Sequence, residues 1–82
     1  MKHYAVEFND NHILIFEAED VEDLCFKISM YYGFCTTLFG ICMRGCNTIE
    51  ENILVTNEYL KNKDNDKIKC VYLIECIEWK DN

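Results

Sequence analysis

Six cysteines, two histidines and fifteen carboxylates are the side chains of this 82-residue chain that could do chemistry, and their spacing limits what they can do. Zinc ribbons and knuckles need thiolates in close pairs, with about two to four residues between partners, so that a tight turn presents both to one tetrahedral ion. Cys42-Met43-Arg44-Gly45-Cys46 has that form, with a glycine for the turn, but no second pair of the kind exists. Cys70 and Cys76 would point the same way on a strand, about 20 Å apart, and cannot share an ion. No C-x-x-C opens a helix, where the dipole would lower a thiol pKa. A nucleophilic cysteine would also need a histidine, and His3 and His12 fall on opposite faces of a hairpin by strand parity. The cysteines therefore read mostly as buried free thiols. No catalytic residue, metal or cofactor is assigned, and a metal site centred on Cys42 and Cys46 is kept only as an alternative.

The carboxylates carry more information. The net charge is −7, and between Lys2 and Lys27 there is no basic residue, while Glu7, Asp10, Glu17, Glu19, Asp20, Glu22 and Asp23 supply seven acids. The other eight acids and the eight bases cancel, so the first third of the chain carries the whole net charge. Part of that cluster has a structural reason, because carboxylates cap helices and suit the positive end of the helix dipole. A calcium loop would need alternating oxygen ligands, a glycine hinge and a distal bidentate Glu, and the pattern is missing. Gly33, Gly40 and Gly45 make no phosphate-binding loop. Direct nucleic-acid binding is disfavoured, since it rests on Lys and Arg neutralising phosphates. A dense acidic face instead attracts proteins with basic clefts and can occupy a phosphate-binding groove in place of nucleic acid; from charge alone, the same acidity serves equally to keep a protein soluble.

The elements that must position these groups follow from periodicity. In Lys2 to Phe8, Tyr4, Val6 and Phe8 alternate with His3, Ala5 and Glu7, the pattern of a half-buried strand. Asn9-Asp10-Asn11 supplies turn chemistry. His12 to Ala18 follows with Leu14 and Phe16 on one face and Ile13 and Ile15 on the other, which predicts a β-hairpin. Asp20 suits an N-cap with Asp23 in a capping-box-like position, and Val21, Leu24, Cys25, Ile28, Tyr31 and Tyr32 share one side of a helix that Gly33 ends. The outer side carries Glu22, Asp23, Lys27 and Ser29 together with Phe26 and Met30, an adjacent apolar pair within a charged rim that either meets a partner or is covered by a second helix or a dimer mate. Phe34 to Met43 is rich in β-branched and aromatic residues and reads as a strand closed by Gly45. Residues 48–60 fit both periods: Thr48 with Glu51 forms a capping box, yet Ile53, Val55, Asn57 and Tyr59 alternate. A strand from about Ile53 is preferred, because the turn cluster Lys63-Asp64-Asn65-Asp66 leads to the apolar run Ile68 to Trp79, completing a second hairpin. That last run is apolar on both faces, which implies that the ambiguous segment is helical, that the sheet is strongly curved, or that another molecule packs there.

Residues 1–82 thus predict a single acidic α+β domain with an antiparallel sheet of four to five strands and one principal helix, in the order ββαβββ. No apolar run approaches the roughly 20 residues that span a bilayer, and Met1-Lys2-His3-Tyr4 leads straight into a strand pattern rather than a signal sequence. A cytoplasmic protein with no membrane contact and with reduced thiols is expected. In size, charge and Asn-, Lys-, Ile- and Glu-rich composition the chain is similar to small acidic proteins of viruses and mobile elements that block restriction or CRISPR effectors. That similarity rests on these bulk properties and not on a motif. It implies a non-enzymatic inhibitor that mimics nucleic acid. The expected partner is a protein with a basic surface, such as a nucleic-acid-binding complex, met by Glu17, Glu19, Glu22, Asp23, Phe26 and Met30. The alternative is a self-assembling adaptor, a homodimer built through the C-terminal strand around Leu73 and Trp79.

Overall fold

The computed structural model describes residues 1–60 and 67–74. The chain runs β1 (Lys2–Phe8), β2 (Ile13–Ala18), α1 (Val21–Tyr32), α2 (Thr37–Arg44), α3 (Ile49–Tyr59) and β3 (Ile68–Ile74). The three strands form one antiparallel sheet in the order β2-β1-β3. The first hairpin forms as its alternation predicts, pairing Lys2 with Ala18 through Glu7 with Ile13. Its turn is closed by the Phe8 N–H donating to the His12 carbonyl (3.0 Å) and by Asn11 in the left-handed region at φ 70°, a conformation asparagine tolerates.

α1 starts and stops where its caps lie. The Asp20 carboxylate accepts from the Asp23 N–H (2.8 Å), and the Asp23 carboxylate accepts in return from the Glu19 N–H (3.0 Å). Gly33 takes φ 82°, and the Phe34 N–H donates back to the Ser29 carbonyl (2.9 Å), the closure a left-handed residue permits. Leu24 and Ile28 enter the core beneath the sheet with Tyr4, Val6, Phe8, Ala18, Leu60 and Ile68. The helix is rolled relative to the sequence expectation: Ser29, assigned outward, is buried with its hydroxyl on the Phe26 carbonyl (2.6 Å), while Tyr31, assigned inward, is exposed. The reason is that helices, not solvent, lie against that side.

Two expected strands are helices. Phe34 to Met43 was expected as a strand from residue type, but Thr36 accepts from the Phe39 N–H (3.1 Å) and opens α2. Phe39 and Met43, one helical turn apart, are buried against Cys25 in a second core, with Phe26, Phe34 and Tyr59 packed around it. β-propensity yields to such packing because it measures fit to a pleated surface and not a backbone preference. The strand expected from Ile53 is α3, whose Thr48–Glu51 box is real: Thr48 Oγ1 accepts from the Glu51 N–H (3.1 Å). The described residues therefore hold three strands and three helices in the order ββαααβ, in place of ββαβββ. The proposed turn at Lys63 to Asp66 and the strand beyond Ile74, with Cys76 and Trp79, lie outside the described residues.

α3 also sets where β3 begins. The Asn57 side chain meets Ile68 twice, its Nδ2 donating to the Ile68 carbonyl (3.2 Å) and its Oδ1 accepting from the Ile68 N–H (2.8 Å). An amide thus stands in for a neighbouring strand just where the β1–β3 register slips between Glu7 and Phe8. α1 and α3 lie on the same face of the sheet, and α2 packs over them as a third layer. The ambiguous segment is helical from Ile49 to Tyr59, then, but it does not cover the second face of β3. Among the described residues that face is bare, and Ile13, Ile15, Tyr72 and Ile74 stand exposed on it.

Candidate partner-binding face and the adjoining groove

The six residues singled out from the sequence are not one surface. Glu17 lies on the bare side of the sheet, across from His3, with an ion-pair distance of 3.8 Å. Glu19 and Glu22 are exposed at the start of α1. Asp23 is half-buried, holding the cap and pairing with Lys27 (3.6 Å), whose Nζ also donates to the Glu17 carbonyl (2.9 Å). Phe26 is covered by α2, edge-on to Phe39 with ring centroids 5.5 Å apart, and so is part of the second core instead of an exposed anchor. Met30 is 57% exposed, a turn further along.

What the fold adds is a second acidic helix start beside the first. α3 opens with Glu50 and Glu51, as α1 opens with Glu22 and Asp23. The two starts bear on one spot, the Cys46 thiol, which burial pushes up and which Glu51, Cys42 and Glu22 push further. Glu22 and Glu50 make no ion pair among the described residues. Glu50 and Glu51 were not among the expected partner contacts because they sit in the stretch where acids and bases cancel in number. The Thr48–Glu51 box was the signal that could have found them.

Two adjoining cavities of about 370 and 360 Å³ lie at this convergence. They share Lys2, Tyr4, Val21 and Ile49. One end is polar, bordered by Asp20, Glu22, Asn47 and Asn52. The other is apolar, bordered by Ile53, Val71 and Leu73.

The thiols are dispersed. Among the described residues Cys25 alone of the cysteines is buried; its Sγ reaches the Asn52 carbonyl (3.7 Å), and burial pushes it up from 9.0 to about 11. Cys35 and Cys42 are exposed, and Cys46 and Cys70 partly so, which corrects the expectation of mostly buried thiols. α2 places Cys42 and Cys46 one turn apart, Cys42 Sγ at Tyr59 Oη (3.9 Å) and Cys46 Sγ donating to the Cys42 carbonyl (3.4 Å). Among the described residues no group of three or more His, Cys, Asp or Glu side chains converges as a metal site. His3 and His12 are apart, His12 stacking on Phe8 at 4.7 Å and meeting Asp10 within the turn. No helix among the described residues is long and apolar enough to cross a membrane. Compared with protein-family models, curated proteins and solved structures, the chain matches none.

Proposed function

We propose that this chain is a non-enzymatic binding protein whose acidic face engages a basic protein surface, that of a nucleic-acid-handling complex, and inhibits it by standing in for nucleic acid. The observation that supports this reading is the convergence of two helix starts, with Glu19, Glu22 and Glu50 free of ion pairs among the described residues. Exposed carboxylates without an ion pair are free to meet a basic partner, with a faster, salt-sensitive encounter. The test is affinity capture from host lysate at rising salt with mass spectrometry of the bound proteins. The expected outcome is a nucleic-acid-binding complex that is released by salt and by competing duplex DNA, and lost with the Glu19→Lys, Glu22→Lys, Glu50→Lys variant. A partner indifferent to both salt and DNA would overturn the reading.

The bare sheet face supports a second reading, a homodimer formed through Ile13, Ile15, Tyr72 and Ile74. Leu73, the residue first assigned to that contact, belongs to the groove on the opposite face, and Trp79 lies outside the described residues. Sedimentation of the wild type against Ile15→Lys separates the two readings, because only a dimer built on this face dissociates.

A further inference from the structure

The groove between the two helix starts contains a polar group that the fold leaves without a partner. Tyr4 is inward-facing on the central strand and only 5% exposed. Its hydroxyl makes no hydrogen bond among the described residues, although buried phenols ordinarily find one. It is also not sealed from solvent, since among the described residues no buried side-chain polar atom is left unsatisfied. The space that Tyr4 lines is the groove. A largely buried phenol whose hydroxyl keeps some access to solvent is placed to bond what enters the groove.

The walls say what that is. On one side of Tyr4, Val21, Ile53 and Leu73 border an apolar slot, and Leu73 is 55% exposed although it faces the helices. On the other side, Asp20 and Glu22 border the polar end, and among the described residues Lys2 is the one basic residue of the lining. Asp20 spends one carboxylate oxygen on its cap, whereas Glu22 is exposed and unpaired among the described residues. The ligand that matches is apolar at one end and cationic at the other, with a hydrogen-bond acceptor between.

We propose that this groove docks a short segment of the basic partner, with a large apolar side chain in the slot of Val21, Ile53 and Leu73. An adjacent Lys or Arg of that segment meets Glu22 and Asp20, and the Tyr4 hydroxyl donates to its backbone carbonyl. This rests on the basic-partner reading above and adds the site and the local chemistry of the contact. Charge complementarity selects this occupant, because a second copy of the acidic helix starts would be repelled and an acidic segment likewise.

The test is an NMR titration of the full chain with three blocked tetrapeptides, acetyl-Gly-Leu-Lys-Gly-amide, acetyl-Gly-Leu-Glu-Gly-amide and acetyl-Gly-Gly-Lys-Gly-amide. The Leu-Lys peptide is expected to shift Tyr4, Val21, Ile53 and Leu73, and the other two to bind at least about tenfold more weakly, since each lacks one of the two contacts. Tyr4→Phe removes only an unpartnered hydroxyl, so it keeps the fold and weakens the Leu-Lys peptide roughly threefold to tenfold, the worth of one neutral hydrogen bond. Equal binding of all three peptides, or an unaltered affinity in Tyr4→Phe, would overturn the proposal. So would contacts from residues 75–82 to Leu73 in the free protein, or shifts that grow with protein concentration alone, since either places another occupant in the groove. Shifts by both lysine peptides at Glu19 and Glu50 but not in the groove would sink the groove and leave the basic-partner reading standing. No shift with either lysine peptide, together with loss of salt-sensitive capture, would remove both.

Discussion

The two faces of the sheet are built from the same three strands, one residue out of step, and they have opposite fates. On the inner face Tyr4, Val6 and Phe8 meet Leu24, Ile28 and Leu60, and Phe8 is fully buried. On the outer face Ile15, paired with Ala5, is 65% exposed, and its neighbours Ile13, Tyr72 and Ile74 are also open. Burial of a large apolar side chain contributes about 1.5–3 kcal/mol, so the inner face sustains the fold and the outer face contributes little to it. The difference shows that hydrophobicity is a weak guide to where the core is when a strand is apolar on both sides. What distinguishes the faces is the helices, and their placement depends on caps and on Asn57.

Substitutions on either side measure that asymmetry. Phe8→Ala should have the largest effect, about 3–5 kcal/mol in urea unfolding, because it leaves a cavity beneath α1. A loss below about 1 kcal/mol would mean that the inner face is not the core. Asn57→Ala should follow at about 1–3 kcal/mol, since it strands the N–H and carbonyl of buried Ile68; exchange of the Ile68 amide should become faster than in the wild type. The second core is probed by pH. The Cys25 thiol is raised to about 11 in the folded chain, so the unfolded chain gives up this proton first. Its contribution to stability is whole below 9.0 and declines as pH rises from there to about 11, and Cys25→Ala should unfold without that part of the slope. The smallest effect belongs to the outer face, where Ile15→Thr should change stability by less than about 0.5 kcal/mol. A large loss there would mean that something covers Ile15 in solution.

The same contrast explains how much could be read in advance. The hairpin and α1 were legible because each signal is local: alternation of Tyr4, Val6 and Phe8, turn chemistry at Asn9 to Asn11, and the Asp20 and Gly33 caps. Phe34 to Met43 was misread because its residue types favour strands, while the decisive features are the Thr36 cap and the spacing of Phe39 to Met43. Residues 48–60 carried both periods, and only the packing of Ile53 and Leu60 under the sheet selects the helix. The candidate site was legible in its charge and not in its shape. Glu19 and Glu22 stand exposed as expected, Phe26 is lost to the second core, and Glu50 joins them only because two helices begin side by side. Tyr4 could not have been singled out, since an inward tyrosine on a strand looks like any other core residue until its hydroxyl is found without a partner.

The central position of β1 has a consequence for how the chain is made. Its first partner, β2, is available at once, but its second partner is the last described element, and Tyr4 must wait for Leu73. During synthesis the hairpin therefore leaves the ribosome with the β1 edge that β3 later fills still unpaired and its inner face uncovered while three helices are still being added. Pairing between such distant segments is slow, and an open strand edge is a template for joining the wrong chain. Like charges repel, so the seven acids between Lys2 and Lys27 disfavour pairing of that open edge with another copy of the hairpin during the interval.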